Sequence, residues 1–139
     1  MLIDWSDEYS IGIPRIDAQH KFFFEAVHRL EKECLADKGE HVVLETLVFL
    51  ENYVRGHFQT EEAFMREHEY PHIKEHRQLH VEFLERYLEL IGEFKETGPS
   101  QRLAERTGKM VQGWLVDHIA QADRAYAEHV RERANRERE

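Results

Sequence analysis

The stretch His57-Phe58-Gln59-Thr60-Glu61-Glu62-Ala63-Phe64-Met65 decides how this chain folds, because one helical face within it carries both polar and apolar side chains. His57 and Glu61 are four residues apart, so on an α-helix they stand one turn above each other. Phe58 and Met65 share that face and turn it toward a core. A buried histidine or carboxylate without a partner costs several kcal/mol. The stretch therefore predicts an inward-facing helix that carries a functional site.

Apolar residues recur at helical spacing on both sides of this stretch. Four segments show the pattern, at about residues 17–38, 41–68, from 71 through 91, and from about 100 through 122. Gly39, the Tyr70-Pro71 step and Gly98-Pro99 separate them. Four long helices with short connections predict an all-α fold, an antiparallel up-down-up-down four-helix bundle.

Three residues mark where these helices are expected to begin. Asp17 and Ser100 are N-cap candidates, because a side-chain oxygen can accept from the unpaired amides of the first turn. Pro71 is expected as a first helical residue, since its missing N–H would be unpaired there anyway.

The chain is expected to form a single domain over residues 1–139. Residues 1–16 predict an irregular N-terminal arm that packs across the bundle, because its apolar side chains do not suit a free tail. These side chains are Trp5, Ile11, Ile13 and Ile16. Residues 131–139 are almost all Arg and Glu, which is typical of a solvated helix end or a linker.

Composition excludes several classes of function. The chain has 28 acidic and 19 basic residues, a net charge of −9, which argues against nucleic-acid binding and gives no basic patch for an anionic membrane. Cys34 is the single cysteine, so neither a disulfide framework nor a thiolate metal site is expected. The N-terminal residues lack a secretory signal pattern, and no apolar stretch approaches the ~20 residues that span a bilayer. We therefore expect a cytoplasmic protein with neither a nucleic-acid nor a membrane partner.

Histidines and carboxylates interrupt the inward stripes of all four predicted helices. His76 and His80 repeat the four-residue spacing, His118 precedes Asp123 by five residues, and His20 lies before an apolar stripe. A metal cluster between the helices would satisfy all of them together. Imidazoles with carboxylates and no thiolate suit iron, and also manganese, zinc or copper. Seven ligands are too many for one zinc, which normally takes four, but suit two six-coordinate ions that share bridges.

Taken in chain order, the histidine and carboxylate motifs resemble those of the hemerythrin family, in its single-domain bacterial form. The resemblance covers nearly the whole chain and rests on four motifs. They are Ile16-Asp17-Ala18-Gln19-His20-Lys21, His57-Phe58-Gln59-Thr60-Glu61-Glu62, Tyr70-Pro71 with His76-Arg77-Gln78-Leu79-His80, and Trp114-Leu115-Val116-Asp117-His118-Ile119 with Asp123. One HxxxE or HxxxH pair would be weak, whereas all four in order are a strong signal.

The resemblance implies the role of each ligand. One iron would be held by His76, His80 and His118. The other would be held by His20 and His57, with one position open. Glu61 and Asp123 would bridge the two irons (Fe2+/Fe3+), with an oxo or hydroxo group as the third bridge.

The resemblance also implies reversible dioxygen binding for storage, delivery or sensing, and not enzymatic turnover. Dioxygen would bind at the open iron, in an apolar pocket that discourages water and anions. Our candidates for the lining of this pocket are Phe24, Phe58, Trp114, Leu115 and Ile119.

Three other functions remain open. The first is a di-iron redox enzyme (an oxidase, peroxidase or nitric-oxide-handling protein), which a buried tyrosine or an extra carboxylate near the open iron would favour. The inward face of the ligand turns shows no obvious candidate for either. Iron storage is disfavoured because five imidazoles should release iron slowly. A signalling module would need an output domain, which the charged tail does not contain.

Some residues near the motifs are expected to have no metal role. Asp17 is interpreted as an N-cap and Glu62 as a solvent-side acid. Asp123 is the weakest ligand by geometry, since five residues turn an α-helix by about 140°. The other histidines are interpreted as surface or boundary residues: His28, His41, His68, His72 and His129.

Overall fold

The structure is a computed structural model that describes residues 4–138. Its helices are α1 (Pro14–Leu35), α2 (Gly39–Glu67), α3 (Ile73–Thr97), α4 (Gln101–His118) and α5 (Arg124–Arg138). A five-residue π-helical turn (Ile119–Asp123) joins α4 to α5, so these three elements form one continuous helix. A 3-10 turn (Asp7–Tyr9) precedes α1. The described residues contain no strand, and the predicted all-α four-helix bundle is confirmed.

Packing follows the order expected of consecutive antiparallel helices. α1 contacts α2 and α4, and α3 also contacts α2 and α4. Short connections at residues 36–38, 68–72 and 98–100 join the helices. Within residues 4–138, no helix combines the length and the apolarity needed to cross a bilayer.

Two of the three predicted helix starts differ from the structure. α1 begins at Pro14, whose missing N–H suits the first turn, so the prediction of Asp17 as its N-cap is wrong. The Asp17 carboxylate instead accepts from Ser10 Oγ at 2.5 Å and Ile11 N at 2.9 Å, which closes the arm onto α1. α3 begins at Ile73, because Pro71 lies in the preceding turn. Ser100 is confirmed as an N-cap, since its side chain accepts from Leu103 N.

The N-terminal arm contributes to the core where the structure describes it. Ile11 and Ile16 are buried, and Trp5 and Ile13 are partly buried against the core cluster. Residues 1–3 of the predicted arm lie outside the described residues. The charged tail is helical through Arg138, and Glu139 also lies outside the described part.

The α1–α2 connection is fastened to the start of α4, and we call this the closed end of the bundle. The Gln101 side chain accepts from Gly39 N at 2.8 Å and donates to the Cys34 carbonyl at 2.7 Å. A Cβ on Gly39 would lie 2.8 Å from Ala104 Cβ and 2.9 Å from Cys34 Sγ, so only glycine fits this contact.

Candidate metal centre

The opposite end of the bundle gathers histidines and carboxylates in its interior. All seven residues predicted as ligands come together there, and none is more than 6% exposed. They lie on α1, α2, α3 and α4 and in the π-helical turn. The seven residues are His20, His57, Glu61, His76, His80, His118 and Asp123. This end, which we call the metal end, lies at the start of α1 and α3 and at the end of α2 and α4.

Three of the histidines form one group with Glu61. His118 Nε2 lies 3.0 Å from His76 Nε2 and 3.2 Å from His80 Nε2. One ligand atom from each of these residues and from Glu61 lies within 4.8 Å of all the others. This spacing suits a single metal ion between them.

A second group shares the same glutamate. His20, His57 and Glu61 also place ligand atoms within 4.8 Å of one another. Glu61 Oε1 is 3.1 Å from His57 Nε2 and 3.4 Å from His80 Nε2. Glu61 therefore lies between the two groups.

Asp123 lies between the two groups as well. Its Oδ1 is 3.0 Å from His118 Nε2 and 3.2 Å from His76 Nε2. Its Oδ2 is 3.1 Å from His20 Nε2. Each carboxylate oxygen of Asp123 therefore faces a different group of histidines.

The π-helical turn explains how Asp123 reaches this position. An ordinary α-helix would place it about 140° around the axis from His118. The segment Ile119–Asp123 is instead a π-helix, in which hydrogen bonds connect residues five apart. The wider turn brings residue 123 back above residue 118, so both side chains enter the cluster.

Several atoms of the cluster are buried without a hydrogen-bond partner among the described residues. They are both carboxylate oxygens of Asp123, Oε1 of Glu61 and both ring nitrogens of His20. Asp123 Oδ2 and His20 Nε2 are close, at 3.1 Å, but their relative angle is not that of a hydrogen bond. These atoms converge on shared space, and leaving them unsatisfied would cost free energy. Metal cations that accept nitrogen and oxygen ligands fit this arrangement.

Burial does not neutralise the two carboxylates. Desolvation and the charge of Asp123 raise the pKa of Glu61. The imidazoles of His57 and His80 outweigh these two effects and hold the pKa at about 2. Desolvation raises the pKa of Asp123 too, yet its contacts with His118 and the other imidazoles hold it well below the usual range. Desolvation lowers the pKa of His20, but the close approach and the negative charge of Asp123 produce a net rise. A metal ion would displace protons from such imidazoles on binding.

Two side chains outside the cluster orient its imidazoles. The Gln19 Oε1 atom lies 2.6 Å from His57 Nδ1. Glu62 Oε2 lies 2.9 Å from His80 Nδ1, so the interpretation of Glu62 as a solvent-side acid is wrong. Its side chain is only 22% exposed and contacts His80 and Arg77, which both lie on α3. Such partners fix the ring orientation and the protonated nitrogen of a ligand histidine.

Tyr126 is a residue of the site that the sequence reasoning missed. It is fully buried, and its hydroxyl donates to Glu61 Oε2 at 2.6 Å. The signal was its position three residues after Asp123, on the same face of a continuing helix. The apolar residues named for the fourth helix ran only as far as Ala122, and Tyr126 was not among them.

Three of the five predicted pocket residues line one small cavity. Phe58, Trp114 and Leu115 enclose it with four other apolar side chains, and its volume is about 10 Å³. Phe24 instead packs against Tyr9, at 4.9 Å between ring centroids, and Ile119 is buried outside this lining. The four additional lining residues are Phe23, Val54, Phe83 and Val111. A larger open groove of about 350 Å³ lies outside Trp114 and reaches the edge of His118.

The other five histidines stay outside the cluster. His28 Nδ1 lies 2.9 Å from Asp4, His68 Nδ1 lies 2.9 Å from the Phe64 carbonyl, and His72 is 70% exposed. Neither candidate group of ligand atoms includes any of the five.

Comparisons with known proteins find one family that matches most of the chain. The family model described as the hemerythrin HHE cation binding domain matches residues 11–130. A bacteriohemerythrin of Stenotrophomonas maltophilia is 30% identical over 134 residues, which cover 96% of this chain and 85% of the relative. A bacteriohemerythrin of Campylobacter jejuni is 31% identical over 121 residues, 85% of this chain and 87% of the relative.

Among solved structures, the crystal structure of a leucine-to-phenylalanine mutant superposes with a TM-score of 0.79. It is 24% identical in sequence, and the match covers 93% of this chain and 97% of the other. This similarity supports the fold of the bundle.

Proposed function

The chain belongs to the hemerythrin family, and from this premise we propose that it holds two iron ions in the cluster and binds dioxygen there reversibly. His76, His80 and His118 would hold one iron, and His20 and His57 the other. Glu61 and Asp123 would bridge them, with an oxo or hydroxo group as the third bridge.

The observation that carries the proposal is the set of unpartnered buried atoms between the two histidine groups. The oxygens of Asp123 and Glu61 Oε1 have no hydrogen-bond partner among the described residues, and each carboxylate faces both groups. One metal ion could not contact all of these nitrogens and oxygens, since a single zinc site normally takes four ligands. With the third bridge, the three histidines would complete six ligands on one iron, whereas the two histidines would leave one position open on the other.

The irons would supply the dioxygen-binding position and the electrons that dioxygen takes up reversibly. The protein's own side chains control access to that position. The cavity beside Phe58, Trp114 and Leu115 is apolar and holds about 10 Å³, which is close to the volume of one water-sized sphere. Such a space suits a diatomic ligand and excludes an organic substrate. Its apolar walls also disfavour water and anions.

The fixed orientation of His57 and His80 supports reversible dioxygen binding in which the metal ions stay bound. Gln19 and Glu62 hold the imidazoles of His57 and His80 through their Nδ1 atoms, so the Nε2 atoms stay directed into the cluster. Ligand histidines fixed in this way bind metal more tightly.

A di-iron redox enzyme is the second candidate, and Tyr126 is the observation that favours it. A buried tyrosine beside a bridging carboxylate could supply an electron and a proton to an oxidised centre. The enzyme proposal predicts net consumption of dioxygen or peroxide, whereas the binding proposal predicts full recovery of dioxygen.

Metal analysis combined with visible spectroscopy tests the function. The protein is reduced without air, exposed to dioxygen and then degassed, and iron is quantified in the same sample. Two irons per chain, with a charge-transfer band that appears with dioxygen and fades on degassing, is the expected result. Oxidation to a diferric state without a persistent oxygenated species would overturn reversible binding and favour the redox enzyme.

Enlarging the cavity wall tests where dioxygen binds. Leu115→Phe should change the rate of dioxygen release or of autoxidation, because Leu115 lines the cavity. Leu103→Phe is the matched control, since Leu103 is equally buried but lies at the closed end. Equal rates in both variants and the parent would exclude this cavity as the dioxygen site.

A further inference from the structure

Tyr126 connects the cluster to the helix that leaves it. Its hydroxyl donates to Glu61 Oε2 at 2.6 Å, and its ring centroid lies 5.4 Å from that of His76. The phenol therefore contacts one proposed bridging carboxylate and the ring of one proposed ligand. Reversible dioxygen binding makes no use of this oxidisable group.

Tyr70 continues the connection toward the surface. Its ring centroid is 6.2 Å from that of Tyr126 and 5.5 Å from that of His129 on α5. Tyr70 lies in the connection between α2 and α3 and is 9% exposed, so it sits at the boundary between core and solvent. Two phenols in contact thus span the distance from Glu61 to the surface.

We propose that Tyr126 and Tyr70 form a route by which oxidising equivalents leave the metal centre for the protein surface. The route rests on the proposed two-metal centre, but not on reversible dioxygen binding. Its co-reactants are hydrogen peroxide as the oxidant and a small phenol or thiol as the electron donor at the surface.

The electron and proton balance is simple. One hydrogen peroxide and two phenols give two waters and two phenoxyl radicals. The O–O bond and two phenolic O–H bonds break, and two O–H bonds of water form. Tyr126 loses one electron to the oxidised centre and its proton to Glu61 Oε2, which already accepts its hydrogen bond at 2.6 Å. Tyr70 then reduces Tyr126, which takes its proton back from Glu61, while Tyr70 loses its own proton to water. The surface donor returns one electron and one proton to Tyr70. The relay runs twice for each hydrogen peroxide, so two donor molecules are oxidised and two waters form.

Trp114 is the competing exit, because its ring stacks on His118 at 4.2 Å between centroids. The route through Tyr126 is favoured over Trp114 because Tyr126 has a proton acceptor within hydrogen-bond distance. Oxidation of a phenol in a buried site requires somewhere for the proton to go, since burying an unpaired charge is costly. The Tyr126 hydroxyl has the Glu61 carboxylate at hydrogen-bond distance.

The first experiment adds hydrogen peroxide to the iron-loaded protein and freezes samples for electron paramagnetic resonance. Ring-deuterated tyrosine identifies a tyrosyl radical and separates it from an indole radical. Tyr126→Phe should abolish the tyrosyl signal, and Tyr70→Phe should confine it to Tyr126 and slow its decay by an added phenol. Tyr87→Phe is the matched control, because Tyr87 is also fully buried with its hydroxyl bonded at 2.6 Å, to the Leu47 carbonyl. It should leave the signal unchanged.

The second experiment uses zinc-loaded protein, in which the metal has no redox chemistry. A ruthenium photo-oxidant is tethered at Glu75→Cys, an exposed site beside Tyr70, in a Cys34→Ser background. A light flash should produce a tyrosyl radical that reaches Tyr126 in the parent, and Tyr70→Phe should block its arrival.

The outcomes separate the two proposals. Loss of reversible dioxygen binding with both radical results intact would overturn the dioxygen function alone. An indole radical, or a Tyr126 radical that forms and decays equally without Tyr70, would overturn the route. A chain that takes up neither iron nor zinc would overturn both.

Discussion

The two ends of the bundle satisfy their buried polar groups in opposite ways. At the closed end, Gln101 pairs with Gly39 and Cys34, and Ser100 caps α4 through Leu103 N. At the metal end, atoms of His20, Glu61 and Asp123 are buried with no hydrogen-bond partner among the described residues. At the closed end, the polypeptide itself supplies hydrogen-bond partners for these polar groups. At the metal end, a bound metal would have to supply the missing partners.

This difference indicates how folding and metal binding are coupled. Buried polar atoms without partners cost free energy, so the metal end should open locally more often than the closed end when no metal is bound. Metal binding recovers that free energy by acting on the folded state alone. The four predictions below test whether the two ends respond independently.

The largest effect is expected from removing one ligand. His118→Ala should empty or cripple the metal site, and the free energy of unfolding should fall by up to the ~4 kcal/mol that a ligand at a thousand times its dissociation constant supplies. Hydrogen exchange should accelerate around Glu61 and Asp123, while amides near Gly39 keep their protection. Retained two-iron stoichiometry with normal dioxygen binding would refute the ligand assignment, and uniform loss of protection would refute the independence of the ends.

The next effect falls on the closed end. Gly39→Ala should lower the free energy of unfolding by about 1–3 kcal/mol, because a Cβ would lie 2.8 Å from Ala104 Cβ. Metal stoichiometry should not change. Gly56→Ala is the matched control on the same helix, since a Cβ there has no neighbour within 4 Å. It should raise stability by about 0.5–1 kcal/mol, because alanine is the better helix former. Denaturant titration of both variants measures the change in the free energy of unfolding. Equal changes in Gly39→Ala and Gly56→Ala would contradict the predicted clash at Gly39.

A smaller effect is expected from a side chain beside the cluster. Glu62→Gln should weaken metal binding by about 10–100-fold, because His80 loses the carboxylate that holds its Nδ1 atom. Competition with a metal-binding dye measures this affinity. Glu75→Gln is the control, since Glu75 is an acid on α3 that is 69% exposed. Unchanged affinity in Glu62→Gln would mean that the contact does not orient the ligand.

The sequence predicted the bundle well because helical spacing is a local property. The start of α1 was misplaced because Asp17 looks like an N-cap, and only the folded arm shows that its carboxylate accepts from Ser10 and Ile11 instead. The proposed ligand residues followed from a family resemblance joined to spacing. Asp123 could not be placed by spacing, since its position depends on a π-helical turn that periodicity does not reveal.

Residues that act through another side chain were the hardest to predict. Glu62 lies next to Glu61 in the sequence, and helical spacing directs it away from the face of its neighbour. Its contact with His80 depends on where the fold places α3, and helical spacing does not reveal such a tertiary contact. Tyr126 depends on the same kind of information, because its partner Glu61 lies 65 residues away in the sequence. Spacing alone would also have admitted His72, one turn before His76, as a ligand.

The smallest effect is expected from His72→Ala, which tests the register of α3. His72 is 70% exposed and its nearest charged partner, Glu75 Oε2, is 3.5 Å from its Nδ1 atom. Exposed substitutions of this kind usually change stability by less than about 0.5 kcal/mol. Iron content and the dioxygen spectrum should therefore match the parent, since the proposed ligands on α3 are His76 and His80. Loss of iron in this variant would mean that His72 is a ligand and that the assigned ligands of α3 are displaced by one turn. It would also mean that the metal site extends to a residue on the exposed surface.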